Sequence, residues 1–306
     1  MDEISRRGVL KWAAGGAVLG GAWGLPAAGA AAAVEAVRPE VRALTAERWG
    51  RYVRAVRALN RRSGGTSEYD GIVQVHVDHA HTAYGTPAFL PWNRVFLRRF
   101  ELALQRIDPA VRVPYWDWTR DARAPASSEV LGDRYFGGNG SGEGREVLDG
   151  SFAGWTVAHP SPHRLRRWYD EGSGLSSLPG AEDVEGILAD DAGYDAFRAA
   201  VESTLDAPFQ AWVGGDLSAL VAPNDPLFWS HRAFLDLLWA ERQARDPTRA
   251  HAYAGTALGR RADVQDVLEP FGVTVASALD LRDEAFGYSY PRWGSGAEQE
   301  TKDPSS

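Results

Sequence analysis

The chain of 306 residues contains no cysteine and only one methionine. The absence of cysteine excludes disulfide bonds, thiolate metal sites and a cysteine nucleophile. Basic residues are also few, with 33 lysines and arginines against 41 aspartates and glutamates, and the net charge is −8. Because proteins that bind nucleic acid neutralise phosphates with a basic surface, this balance argues against a nucleic-acid partner.

The N-terminal region lacks an apolar run long enough to span a membrane. Its apolar segment, Trp12 to Leu25, has about 14 residues, whereas a spanning helix needs ~20. The segment follows Ser5-Arg6-Arg7-Gly8 and precedes small residues suited to signal cleavage. This order predicts a twin-arginine export signal over residues 1–33, with a membrane anchor as the alternative. We therefore expect a protein that is secreted or otherwise extracytoplasmic, with no stable membrane insertion once the signal is cleaved.

The remainder predicts one domain, residues 34–293, followed by a disordered tail over 294–306. Apolar residues three or four apart predict helices, and the clearest stripe comprises Phe89, Trp92, Phe96, Phe100 and Leu104. Similar patterns predict further helices over 46–62, 68–80 and 226–239, and two strands near 271–275 and 286–290. Two of these helices carry a polar residue inside the apolar run, Asn93 in one and Arg232 in the other.

Several motifs resemble those of the tyrosinase family, the binuclear type-3 copper oxidases. They are Tyr69-Asp70…His76, Pro87-Ala-Phe-Leu-Pro-Trp92, Phe100-Glu-Leu-Ala-Leu104, Val113-Pro-Tyr-Trp-Asp-Trp118, Trp212-Val-Gly-Gly215 and Asn224-Asp-Pro-Leu-Phe-Trp229. The resemblance implies a mostly α-helical fold, a tyrosinase-like four-helix bundle core with long loops and a few short C-terminal strands. It places the active site inside the bundle.

The resemblance also implies two copper ions, each held by three imidazoles. Of the six ligand positions, only His76 keeps its histidine. The other five hold Tyr84, Asn93, Asp206, Gln210 and Arg232. His231 is one residue away from the last position, and on a helix this turns it about 100° away from the site. With five of six histidines missing, we expect no binuclear copper site.

A smaller metal site is an alternative. His76, His79 and His81 lie close together in the sequence, and the first two are three apart on the predicted helix. A single zinc or copper ion bound there is one interpretation. The other interpretation is that His79 and His81 are solvated at the C-terminal end of the helix.

All five replacements are polar. A disused site would more cheaply be filled by apolar residues, because a buried polar group without a partner costs ~1–3 kcal/mol. We therefore predict a repurposed cavity without a cofactor. In it His76 and Asp206 are the acid/base pair, and the ligand is oriented by Tyr84, Asn93, Gln210 and Arg232. The alternative is an inert core, in which Asp206 caps a helix beginning near Pro208 and pairs with Arg232.

Three functions follow from these alternatives. The first is a metal-independent enzyme that cyclises, isomerises, eliminates or hydrolyses an aromatic or other apolar small molecule of secondary metabolism. The second is a non-catalytic binding or partner protein. The third is a phenol or catechol oxidoreductase with a residual or different metal site. No copper-delivery partner is expected, since the chain has its own predicted signal.

Overall fold

The computed structural model describes residues 36–170, 174–257, 259–281 and 286–294. The predicted export signal lies outside the described residues, as does the predicted tail apart from Gly294. Within the described ranges, no helix is both long enough and apolar enough to cross a membrane.

The first two helices begin at side-chain caps. Helix α1, Ala46–Leu59, is capped by Thr45, whose hydroxyl accepts a hydrogen bond from the Arg48 N–H at 3.2 Å. Helix α2, Glu68–Ala83, begins at a capping box in which Ser67 and Asp70 each accept the other's backbone N–H, at 3.0 and 2.8 Å. Helix α2 runs three residues beyond its predicted end, so that Tyr84 becomes its C-cap.

Helix α3, Phe89–Ile107, lies at the centre and packs against α1 and α2. Its predicted apolar stripe is buried, and the Phe100 ring stacks on Trp229 with centroids 3.8 Å apart. The helix ends at Asp108, whose backbone is extended because the following proline disfavours helical geometry in the residue before it.

The third side of the bundle is one continuous helical stretch. It consists of α5, Tyr194–Ala200, a π-helical segment, Val201–Asp206, and α6, Ala207–Val213. A shorter helix, α4, Ala181–Ala189, precedes it. Single π-turns inside α-helices are frequent at functional sites, and this one ends at Asp206.

Helix α7, Leu227–Arg245, completes the bundle and packs on α3. It contacts α6 where the His231 ring stacks on Phe209, with centroids 3.8 Å apart and an interplanar angle of 4°. The mostly helical architecture predicted from the sequence is therefore confirmed, with α2, α3, α5–α6 and α7 around a common core.

The strands are short and pair two by two. Ala36–Val37 (β1) runs parallel to Tyr288–Ser289 (β8), which joins the two ends of the described chain. The antiparallel pairs are Thr156–Val157 (β2) with His163–Arg164 (β3), Thr256–Ala257 (β4) with Arg260–Arg261 (β5), and Val267–Leu268 (β6) with Val273–Thr274 (β7). The two predicted C-terminal strands are thus present as β7 and β8, in shorter form.

A buried ion network fixes α3 against α7. The Arg94 guanidinium donates to the Asp236 carboxylate at 2.6 Å, and Arg38 bridges Glu101 and Asp236 at 2.9 and 3.3 Å. Burial alone would raise the pKa of Asp236, but Arg94 and Arg38 hold it below its usual range. Tyr288 also donates to Asp236, at 2.6 Å, and thereby ties β8 to the bundle.

Candidate functional site

His76 lies on the inner face of α2 and is 2% exposed. Its Nδ1 lies 2.7 Å from the Leu220 carbonyl oxygen, which can only accept, so Nδ1 carries the proton. Its Nε2 is then an acceptor, and it faces the Tyr84 hydroxyl at 3.1 Å. Burial lowers the pKa of His76 to about 4, and the Arg232 guanidinium also lowers it, so the imidazole is neutral at pH 7.

Tyr84 connects His76 to helix α7. Its hydroxyl donates to His76 and accepts a hydrogen bond from the Arg232 guanidinium. Burial raises the pKa of this hydroxyl, so the phenol keeps its proton over the neutral range. The Tyr84 side chain is partly exposed, whereas His76 and Arg232 are buried.

Arg232 forms a buried ion pair with Asp206. The guanidinium Nη1 lies 2.8 Å from Asp206 Oδ1, and the two side chains are 1% and 2% exposed. Burial alone would raise the pKa of Asp206, but Arg232 and the hydrogen bond from His231 bring it down to about 2. The Asp206 carboxylate in turn raises the pKa of Arg232, although burial acts to lower it. One negative and one positive charge therefore balance inside the bundle.

His231 completes the arrangement and is fully buried. Its Nδ1 accepts a hydrogen bond from the Trp118 indole N–H at 3.2 Å, so Nε2 carries the proton and donates to Asp206 at 2.8 Å. Burial lowers the pKa of His231 to about 4. We refer to His76, Tyr84, Asp206, His231 and Arg232 as the central network.

The structure brings together most of the residues predicted for the site. His76, Tyr84, Asp206 and Arg232 all belong to the central network. Gln210 is partly exposed and stands near enough to Asp206 and Tyr84 to act to lower the pKa of both groups. Asn93 does not join this group. Its Nδ2 donates to the Phe89 carbonyl at 2.8 Å, one turn earlier on α3, so the amide folds back along its own helix.

The alternative metal cluster does not assemble. His76 directs its two nitrogens at Leu220 and Tyr84, while His79 is partly exposed and His81 is exposed. Across the described ranges, no three histidine, cysteine, aspartate or glutamate side chains come together as a metal-binding group.

Two expectations about individual residues were wrong. Asp206 does not cap a helix: its backbone is helical and its side chain makes no capping bond, because the π-segment continues directly into α6. His231 is not turned away from the site, since it and Arg232 both reach Asp206. The sequence signal for His231 was its position next to Arg232, with Phe209 available to stack on the ring.

Comparison with proteins of known structure defines the fold. The polyphenol oxidase of Thermothelomyces thermophila superposes with a TM-score of 0.67 at 22% identity, covering 84% of this chain and 89% of that one. This chain and the polyphenol oxidase therefore share the same fold.

Comparison with known sequences then identifies the family. The family model for the common central domain of tyrosinase matches residues 66–245. The tyrosinase of Streptomyces antibioticus is 36% identical over 269 residues, which cover 79% of this chain and 95% of that protein. Grixazone synthase of Streptomyces griseus is 30% identical over 310 residues, which cover 83% and 98%. The chain belongs to the tyrosinase family.

These comparisons contradict the prediction of no cofactor, together with its alternative of one zinc or copper ion. The relatives and neighbours in the tyrosinase family are dicopper enzymes, so the cofactor that the family implies is a pair of copper ions.

The side chains of this chain do not fit that pair. A copper ion needs ligands with a free lone pair, which neutral imidazole provides and a guanidinium does not. At the position that the sequence motifs assign to the last copper ligand, Arg232 is a buried cation held 2.8 Å from Asp206. Asp206 Oδ1 is already engaged by both Arg232 and His231, and the Asn93 Nδ2 group donates to the Phe89 carbonyl.

The two buried histidines predict a pH-dependent stability. Their pKa values are about 4 in the folded protein and near 6.5 when unfolded, so only the unfolded state gains protons between these values. The contribution of these two histidines to the free energy of unfolding should be constant above pH 7 and fall as the pH drops from 6.5 to 4, by about 1.4 kcal/mol per pH unit for each histidine.

Urea unfolding across this range measures the slope. His76→Gln should reduce it by about half, whereas His251→Gln, at an exposed histidine, is the matched control and should leave it unchanged. An unchanged slope in His76→Gln would show that His76 is protonated to the same extent in both states.

Proposed function

We propose that this protein is an exported, non-oxidising member of the tyrosinase family that binds an aromatic or other apolar small molecule without turnover. The observation that carries the proposal is the ion pair between Asp206 and Arg232, which lie at two of the family's copper-ligand positions. Its charges already compensate each other, Asp206 Oδ1 also accepts from His231, and the Tyr84 hydroxyl accepts from Arg232.

The ionisation of the central network also favours binding over acid/base turnover. A general acid or base works best when its pKa lies near the working pH. Here the pKa of Asp206 is about 2, and those of His76 and His231 are about 4. None of these three groups changes its protonation state over the neutral range, as expected of residues that bind a ligand without reacting with it.

The ligand would enter where the network is partly exposed, at Tyr84 and Gln210. Aromatic rings stand beside this point, with the Phe89 ring 5.3 Å from the Tyr84 ring in an edge-to-face arrangement. Such walls suit an aromatic ligand, whose edges and faces pair favourably with other rings.

A second candidate is a metal-independent enzyme, and one observation favours it. The Tyr84 hydroxyl lies between the Arg232 guanidinium and the neutral His76 Nε2, so a proton given up by Tyr84 has an acceptor in place. In this hypothesis His76 takes the Tyr84 proton, and the phenolate, stabilised by Arg232, takes a proton from the substrate. Asp206 holds Arg232 in place. It requires product formation from an aromatic substrate without oxygen uptake.

Metal analysis and oxygen uptake test the proposal. The purified mature protein, incubated with excess copper and dialysed, should retain no stoichiometric copper pair and consume no oxygen with catechol, because Arg232 supplies a fixed cation instead of a ligand. Calorimetry should detect saturable binding of catechol that Tyr84→Ala weakens.

The tyrosinase of Streptomyces antibioticus, treated in the same way, is the positive control. Two coppers per chain together with oxygen consumption would overturn the proposal in favour of an oxidase. Conversion of catechol without oxygen uptake, abolished in His76→Gln, would favour the second candidate.

Export is part of the same proposal and rests on the Arg6-Arg7 pair followed by an apolar segment. Replacing both arginines with lysine should retain the full-length protein in the cytoplasm, because the twin-arginine route reads that pair. Immunoblots of the cytoplasmic and external fractions make the comparison. Equal amounts of external protein for both forms would contradict this route.

A further inference from the structure

A small cavity lies between α3 and α7 and has Arg232 in its wall. It is lined by Asn93, Arg94, Arg232 and Asp236, with apolar walls from Phe89, Leu90, Leu235 and Trp239. Its volume is about 10 Å³, close to the ~10–15 Å³ that one water molecule needs. Anything larger than a single heavy atom is therefore too big for it.

Four buried polar atoms without a hydrogen-bond partner among the described residues belong to side chains that border this cavity. They are Asn93 Oδ1, Arg94 Nη2, Arg232 Nε and Arg232 Nη1. Arg232 Nη1 faces Asp206 Oδ1 at 2.8 Å in the ion pair, which leaves the other three. A buried polar atom without a partner is destabilising and rare, so three of them around one cavity indicate a ligand.

The remaining polar atoms of the two α3 residues are already committed. Arg94 Nε donates to Asp236, and Arg94 Nη1 donates to Gln243 and to the Ala278 carbonyl. Asn93 Nδ2 donates to the Phe89 carbonyl. This last bond fixes the orientation of the amide, because a flipped Asn93 would set its oxygen against another carbonyl oxygen. The Asn93 atom without a partner, Oδ1, is therefore a hydrogen-bond acceptor.

The chemistry of the three atoms selects the ligand. Two guanidinium N–H groups require an acceptor, and they repel a metal cation or ammonium. Asn93 Oδ1 requires a donor, which a halide ion is not. A neutral molecule of one heavy atom that both accepts twice and donates is water, and buried waters typically make about three hydrogen bonds to otherwise unpaired groups.

We infer that this cavity is a binding site for one structural water molecule, which accepts from Arg94 Nη2 and Arg232 Nε and donates to Asn93 Oδ1. The water links the Arg94–Asp236 ion pair to the Asp206–Arg232 ion pair, and so joins two charged clusters across the interface of α3 and α7. Asn93, at a former copper-ligand position, is in this account a water ligand and not a substrate ligand.

A high-resolution crystal structure of the mature protein tests the site directly. We expect one well-ordered water within hydrogen-bonding distance of all three atoms. Crystals grown in sodium bromide should give no anomalous peak there. A bromide peak would show an anion site, and an empty cavity would show that the orphaned atoms are tolerated; either result overturns the inference.

Two variants distinguish a role of Asn93 in binding the water from a purely structural role. Asn93→Leu removes the acceptor and fills the cavity, so the water should be lost and the melting temperature should fall, since two guanidinium donors then lack a partner. Asn93→Ala enlarges the cavity but leaves both guanidinium groups, so at least one water should remain. A dry cavity in Asn93→Ala would contradict the inference even if Asn93→Leu fails to fold.

Discussion

The site depends on one interaction, the buried ion pair between Asp206 and Arg232. An unpaired guanidinium inside the bundle would be strongly destabilising, and removing one partner of a buried pair typically costs ~3–5 kcal/mol. The π-helical segment that ends at Asp206 brings the carboxylate to Arg232 and His231 at the same time. Tyr84 and His76 then extend the hydrogen bonds from α7 across to α2.

Much of the fold could be predicted from the sequence, because the apolar spacing of α3 and α7 and the caps Thr45 and Ser67 are local signals. The family motifs supplied the long-range arrangement. They placed His76, Tyr84, Asp206 and Arg232 near one another, as the structure has them. The functional roles given to these residues stay predictions.

Other features of the site depend on the tertiary structure, and no local pattern reports them. The π-turn before α6 made Asp206 an interior residue instead of a cap. It also allowed two successive residues of α7, His231 and Arg232, to reach the same carboxylate. Asn93 turned back to Phe89 because a helix offers the carbonyl four residues earlier as an acceptor. Family membership corrected a further expectation, since it implies a copper pair where none had been predicted. The ion pair between Asp206 and Arg232 is the reason that the side chains of this chain do not fit two copper ions.

If Asp206 and Arg232 stabilise the bundle as a pair, a double-mutant cycle will show their dependence on each other. Urea unfolding at pH 7 would compare the native protein with Asp206→Asn, Arg232→Met and the double variant. Each single variant should lose about 3–5 kcal/mol, and the double variant should lose much less than their sum, because neither residue then leaves a buried charge alone. Additive losses would mean that the two residues do not depend on each other and would contradict the account.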